Sequence, residues 1–353
     1  MQLRHRALRV AFVAALGVAC GSPDGVIPQP GPDDDDAVDD DDAVDDDDAV
    51  DDDDAVDDDD AVDDDDATGD VFDCAGIPDA PLSERTVNGP RGYHGLAIDT
   101  EGVMVGSDNS SLIRSTYDGE WSVFVPGTGS GEQIAYEASG DLVWNSSEGA
   151  IERITPAGGR ETLVSDRWSY GMKVAPDGSL WTAGSGRVTR TDPATGVTTD
   201  VAEWTRQGEP HALEFSADFS RLYVSTVGPS HLRAIDLDDQ LEPTSGFYNF
   251  AVGLGDGWQD GVAIDACGYL YVPDFWSRTL FRVAPDGTHE EYVSWRSRQQ
   301  FYGHGVVWGT GVGGFREDAL YLPLPYNSNL VTELIVGVPS KDWEGTVVNA
   351  PLP

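Results

Sequence analysis

The chain has 353 residues, with 64 acidic against 21 basic side chains and a formal net charge of −43 at neutral pH. Such an excess of negative charge argues against nucleic acid or an anionic membrane surface as a partner. It favours a soluble extracytoplasmic domain.

The first 70 residues stand apart from the rest. Residues 1–20 read as an export signal: Arg4, Arg6 and Arg9 give a positive start, and Val10 to Ala19 an apolar run. Ten residues are too few to span a bilayer as a helix, which needs about 20. The run ends Leu16-Gly17-Val18-Ala19-Cys20-Gly21, which resembles a bacterial lipoprotein signal with Cys20 as the lipidated residue. Ordinary signal cleavage is the alternative. Residues 21–70 form a linker in which Asp-Asp-Asp-Asp-Ala-Val repeats across 33–66, supplying 24 aspartates. These repel one another and bury no apolar surface, so an extended, disordered spacer is expected, a stalk if the chain is anchored.

Residues 71–353 carry 38 acidic and 18 basic residues, a net of about −20, with no break in composition to suggest a second domain. Within them a short apolar strand, a tight turn and a second apolar strand recur six times. The copies begin Tyr93-His94-Gly95, Gly131-Glu132-Gln133, Ser169-Tyr170-Gly171, Pro210-His211-Ala212, Gln259-Asp260-Gly261 and Gly303-His304-Gly305. Successive second positions are 38, 38, 41, 49 and 44 residues apart. A strand repeat of this length predicts an all-β fold, a six-bladed β-propeller of four-stranded blades.

Blade one reads His94–Ile98, Val103–Gly106, Ser111–Thr116 and Trp121–Val125; the next four follow the same order. Gly102, Gly140, Gly178 and Gly268 stand where the hairpins need a positive φ, and Gly119 and Gly287 do the same between outer strands. Blade six has three clear strands, Gly305–Trp308, Ala319–Leu322 and Leu330–Gly337. Its fourth is expected from Leu82–Val87, because closure by both chain ends removes exposed sheet edges; Gly345–Val348 is the alternative. With Cys20 lipidated, Cys74 and Cys267 remain as an even pair in an oxidising compartment. A disulfide between them would tie the entry segment to blade five; two separately buried thiols are the other reading.

The stretches Pro210-His211-Ala212-Leu213-Glu214-Phe215-Ser216 and Gln259-Asp260-Gly261, continued by Val272-Pro273-Asp274, resemble the senescence-marker-protein and gluconolactonase propellers. Those carry Pro-Asn-Gly-Leu-Ala-Phe-Ser and Pro-Asp-Gly-Leu-Ala-Val-Asp in consecutive blades. The resemblance implies that the residue before Gly-Leu-Ala enters the central channel and binds a divalent metal, through a Glu, an Asn and an Asp. Asp260 matches that Asp; His211 stands for the Asn and His94 for the Glu. A weaker similarity links the chain to NHL-type propellers such as the peptidyl-amidating lyase, which holds zinc with three histidines.

On their own chemistry, the six equivalent positions are His94, Glu132, Tyr170, His211, Asp260 and His304, all starting inner strands and so aimed at one axis. Three of the five histidines beyond the linker fall on these six positions. Imidazoles with a carboxylate suit zinc, iron or manganese better than calcium, so His94, His211, Asp260 and His304 are the candidate metal ligands. Glu132 is the candidate general base and Tyr170 the candidate donor to an oxyanion. The plainer reading is a water-filled channel whose polar residues bond one another. His231 and His289 are expected on outer loops. Trp258, Trp276, Trp295 and Phe301-Tyr302 either rim a pocket for an apolar or sugar ligand or pack between blades.

Two functions follow: a metal-dependent hydrolase of lactone or ester type, or a non-catalytic module binding a carbohydrate, peptide or partner protein. Either takes a small-molecule or carbohydrate ligand in the channel, uses no nucleic acid, and meets a membrane only through a lipid anchor. A monomer is expected, in the bacterial cell envelope or secreted.

Overall fold

The computed structural model describes residues 70–90, 95–146, 149–165, 168–204, 208–298, 303–324 and 330–351. The export signal, Cys20, the aspartate-rich linker before Asp70, His94, Phe301 and Tyr302 therefore lie outside the described residues.

Six four-stranded antiparallel sheets are present. In blades one to five the strands follow one another outward in chain order. The inner strands are Leu96–Ile98, Gly131–Tyr136, Gly171–Val174, Glu209–Phe215 and Ala263–Ile264. Blade six runs Val307–Trp308, Ala319–Pro323 and Leu330–Ile335 from inside to outside, and Ser83–Asn88 pairs antiparallel with the last of these. The N-terminal segment thus supplies the closing strand. Thr346–Val348, the alternative, instead forms a small parallel ribbon with Val71–Asp73. The predicted hairpin glycines hold positive φ, among them Gly102 at 77°, Gly140 at 83°, Gly178 at 81° and Gly268 at 85°.

The ring is held by packing between blades. Each neighbouring pair shares one apolar cluster. Leu112 and Val125 meet Ile134 and Trp144 between blades one and two, and Trp181 meets Phe215 between three and four. Leu96 and Met104 meet Phe315 and Tyr321 where blade six returns to blade one. A sheet with both faces covered in this way reads as apolar almost throughout, which is why the inner strands lack a clean polar alternation.

Closure is reinforced by Glu333, which is fully buried. Its carboxylate accepts from Arg85 on the closing strand, from the Tyr117 hydroxyl of blade one at 3.2 Å, and from Tyr321 at 2.7 Å. Cys74 and Cys267 form a disulfide that joins the entry segment to blade five. Both sulfurs lie in the cluster shared by blades five and six, with Trp295 and Val336. Trp295 is thus core and not rim. His231 and His289 differ from the loop expectation: each begins a strand, His231–Asp236 and His289–Ser294. Among the described residues no helix is long and apolar enough to cross a membrane.

Candidate active site in the channel

The residue after each candidate is usually glycine, and the packing shows why. A Cβ on Gly171 would lie 2.3 Å from the His211 carbonyl oxygen, and one on Gly95 2.7 Å from the Gln133 Cα. On Gly261 it would meet the Gly305 backbone at 2.9 Å. The inner strands of adjacent blades pass each other backbone to backbone at these points. Only a residue without a side chain lets them converge at these points.

At the centre stands Asp260, with no exposed surface, between two buried imidazoles. The His211 Nδ1 lies 3.1 Å from its Oδ1, and the His304 Nδ1 2.5 Å from its Oδ2. Asp260 is fixed through its backbone: its N–H donates to the Pro273 carbonyl, and its carbonyl accepts from the Gly305 N–H, both at 2.9 Å. The second hydrogen bond fastens the Asp260 strand directly to the residue after His304.

Tyr170 stacks on the His211 ring, with centroids 4.3 Å apart and planes 19° from parallel. Burial pushes its hydroxyl up to about 12, and the charges of Glu132, Glu209 and Asp260 push in the same direction. Tyr170 therefore stays protonated, a donor throughout the physiological range. Glu132, half-buried on the inner strand of blade two, is near enough to contribute to that shift. The structure so brings together His211, Asp260, His304 and Tyr170, with Glu132 alongside.

Would these residues hold a divalent metal? Two imidazoles and a carboxylate in a site closed to water are the donor chemistry of zinc, iron or manganese. Separations of 2.5 and 3.1 Å between nitrogen and carboxylate oxygen are hydrogen-bond distances, at which each imidazole shares a proton with the carboxylate. The donors fit by type. Among the described residues, no three His, Cys, Asp or Glu side chains are arranged to hold an ion as they stand.

Three further residues shape the site without having stood out in the sequence. Asn145 donates to the Ser169 carbonyl at 2.6 Å, setting the backbone between Trp168 and Tyr170. Ser225 accepts from the Ala212 N–H and donates to the Gln259 carbonyl, both at 2.9 Å, so one hydroxyl ties the His211 strand to the Asp260 strand. Asp274 accepts from the N–H groups of Asp256, Gly257, Trp258 and Ser277. All three occur at or near the end of a blade's second strand. That recurrence of a polar residue after an apolar run was the available signal.

Below the site, toward the far end of the inner strands, lies a cavity of about 840 Å³ lined by Ala212, Gly261 and Gly305 at its upper side. Its lower side is covered by residues 340–345, and Ser340 bridges to Asp265. There Lys173 and Lys341 meet Glu214, at 2.6 and 3.8 Å. Tyr170, His211, Asp260 and His304 are not among the residues that line this chamber.

Comparison with known proteins gives the same fold. The family model described as the SMP-30/gluconolactonase/LRE-like region matches residues 88–298, more than half of the chain. A gluconolactonase from Xanthomonas campestris superposes with a TM-score of 0.60 at 19% identity, covering 74% of this chain and 92% of its own. A calcium-binding regucalcin from Agrobacterium tumefaciens gives 0.58 at 18%, covering 80% and 99%. The virginiamycin B lyase of Staphylococcus aureus gives 0.53 at 12%, covering 72% and 99%. Identities this low carry the fold alone. No curated protein matches significantly in sequence.

Proposed function

Because the chain belongs to the SMP-30/gluconolactonase/LRE-like family, we propose that it is a hydrolase of lactone or ester bonds acting at the upper end of its central channel. The observation that carries this reading is the buried Asp260 carboxylate held between His211 and His304. Titratable groups buried together in this way are concentrated at functional sites, and acyl chemistry uses such groups.

In this reading His211, Asp260 and His304, with His94 as a fourth donor, hold a divalent cation, zinc, iron or manganese in preference to calcium. Such an ion, when bound, polarises a carbonyl and lowers the pKa of water to about 7. Glu132 takes the proton from the attacking water. Tyr170, kept protonated by burial, donates to the oxygen on which negative charge develops. Asp260 anchors both imidazoles, and Gly171, Gly261 and Gly305 let the strands come close enough for it to do so. The similar structures include a gluconolactonase and a calcium-binding regucalcin, which supports lactone chemistry and a divalent ion at the level of the family.

The same proposal has the domain act outside the cytoplasm as a monomer, either anchored by lipid on Cys20 and held off the membrane by the aspartate-rich stalk, or secreted. The disulfide supports an oxidising compartment.

The test is elemental analysis of the purified domain, followed by turnover of simple esters and lactones with and without chelator. About one equivalent of zinc, iron or manganese, lost in His211→Ala and Asp260→Ala, is expected. Full metal content in both variants would remove the site. Absence of turnover under all metals would leave a binding module.

A further inference from the structure

The groups assigned to chemistry are enclosed by a continuous arc of rings. Trp168 contacts Tyr170 at a centroid distance of 4.1 Å, and Tyr170 stacks on His211. His211 faces Trp258 at 6.2 Å, and Trp258 meets Trp276 edge to face at 5.6 Å. Phe275 closes the arc, 5.1 Å from Trp276 and 4.5 Å from the His304 ring. The wall thus starts at Trp168, passes through His211 and ends on His304, so both imidazoles that flank Asp260 belong to it.

Exposure separates these rings from the tryptophans that hold blades together. Trp144 and Trp181 have no exposed surface and Trp295 has 1%, whereas Trp168 is 38% and Trp276 56% exposed. Trp121, on the outer strand of blade one, is 63% exposed as well, so what sets Trp168 and Trp276 apart is that they are exposed next to Tyr170 and Phe275. Nor are they loose. The Asp274 carboxylate, fully buried, accepts backbone N–H groups from Trp258 and from Ser277, the residue after Trp276. Asn145 does the same for Trp168 and Tyr170 by holding Ser169 between them. The rings stand in a fixed frame with aromatic surface exposed at Trp168 and Trp276, the preorganisation that small-molecule recognition uses.

We propose that this arc binds the planar aromatic part of the substrate, so that the enzyme's substrates are aryl esters or benzo-fused lactones, with Trp168 and Trp276 as specificity-determining residues. The inference rests on the hydrolase reading above and adds the substrate class. A polyhydroxylated sugar lactone can lay a C–H face on one indole, but its ring of hydroxyls asks for polar partners that an arc of aromatic rings supplies sparsely. Its hydroxyls would lose water against indole faces that return no hydrogen bonds, and each such loss is costly. A flat ring loses little there and gains stacking, about 0.5–1.5 kcal/mol per aromatic pair beyond area burial.

The test compares three lactones, 3,4-dihydrocoumarin, δ-valerolactone and glucono-δ-lactone, and two lactams that are not hydrolysed, 3,4-dihydroquinolin-2-one and δ-valerolactam. For the wild type, the phenolate leaving group of dihydrocoumarin already favours it over δ-valerolactone, so the aromatic contact is read from how that kcat/KM ratio changes on substitution. Trp276→Ala should lose about tenfold more on dihydrocoumarin than on δ-valerolactone, chiefly in KM, with Trp276→Phe restoring most of it. Calorimetry should show the same preference between the lactams. Preference for the gluconolactone, or lactam affinities indifferent to ring fusion and to Trp276→Ala, would overturn the proposal. Trp-dependent binding of dihydroquinolinone with no turnover of any lactone would support the aromatic site while overturning the hydrolase reading beneath it.

Discussion

Replacing Cys74 and Cys267 together by alanine should lower the melting temperature by about 6–10 °C. The bridge joins residues 193 positions apart. Cross-linking a loop of that length removes denatured-state entropy equivalent to about 5 kcal/mol at 25 °C in the chain-entropy model. Part of this is offset in the folded protein. Val71–Asp73 pairs only with Thr346–Val348, so without the bridge this ribbon frays and regains freedom. A net effect of about 3–5 kcal/mol remains, at roughly 2 °C per kcal/mol for a domain of this size. Alanine is chosen over serine because both sulfurs lie among Tyr271, Trp295 and Val336, where a hydroxyl would add its own burial penalty. Calorimetry of the oxidised wild type and the double variant measures the shift, and hydrogen exchange should show protection lost first at residues 70–76 and 346–348. A shift under about 2 °C would refute the reasoning, since the entry segment would then be held as well by packing as by the covalent bond.

The other predictions concern charge, closure and close approach. Burial raises the Asp265 carboxyl to about 7, against hydrogen bonds from Tyr269, Tyr271 and Cys267 that pull it down. A carboxyl raised on folding contributes its stability fully below its unfolded pKa of about 4 and loses it as pH rises to about 7, up to about 4 kcal/mol over three units. Asp265→Asn should flatten that part of the stability curve in urea titrations; an unchanged slope between pH 4 and 7 contradicts the assignment. Glu333→Ala leaves Arg85, Tyr117 and Tyr321 without their shared acceptor, and should cost about 2–4 kcal/mol with fast exchange confined at first to Ser83–Asn88. Gly171→Ala drives a methyl into the His211 carbonyl and should cost about 1–3 kcal/mol or more together with activity, while Gly246→Ala, with open space around it, serves as the control.

The blade count and the direction of the inner strands were legible because each blade is one hairpin repeat and each hairpin has its own glycine. The side of the chain that closes the ring was also legible, since an unpaired edge on blade six needed a partner and Ser83–Asn88 provides it. The approach of His211 and His304 to Asp260 followed from their common place in the repeat. The positioning residues did not follow. Asn145, Ser225 and Asp274 act on backbone of the next blade or loop, across 24, 34 and 18 positions in the chain; a polar residue after each apolar run was visible, but not the backbone it reaches. The tryptophans were ambiguous for a related reason: Trp295 and Trp276 are equally apolar in sequence, and only the packing puts the first in a core and the second at a mouth.

The central claim is that the carboxylate between the two imidazoles makes the site reactive. It is tested most directly by the steady-state hydrolysis of 3,4-dihydrocoumarin by the wild type and by Asp260→Asn, an exchange that keeps shape and removes the charge. A fall in kcat/KM of about 10³-fold or more, with the folded signal intact, is predicted. An Asp260→Asn protein that keeps a tenth or more of the wild-type rate would contradict it.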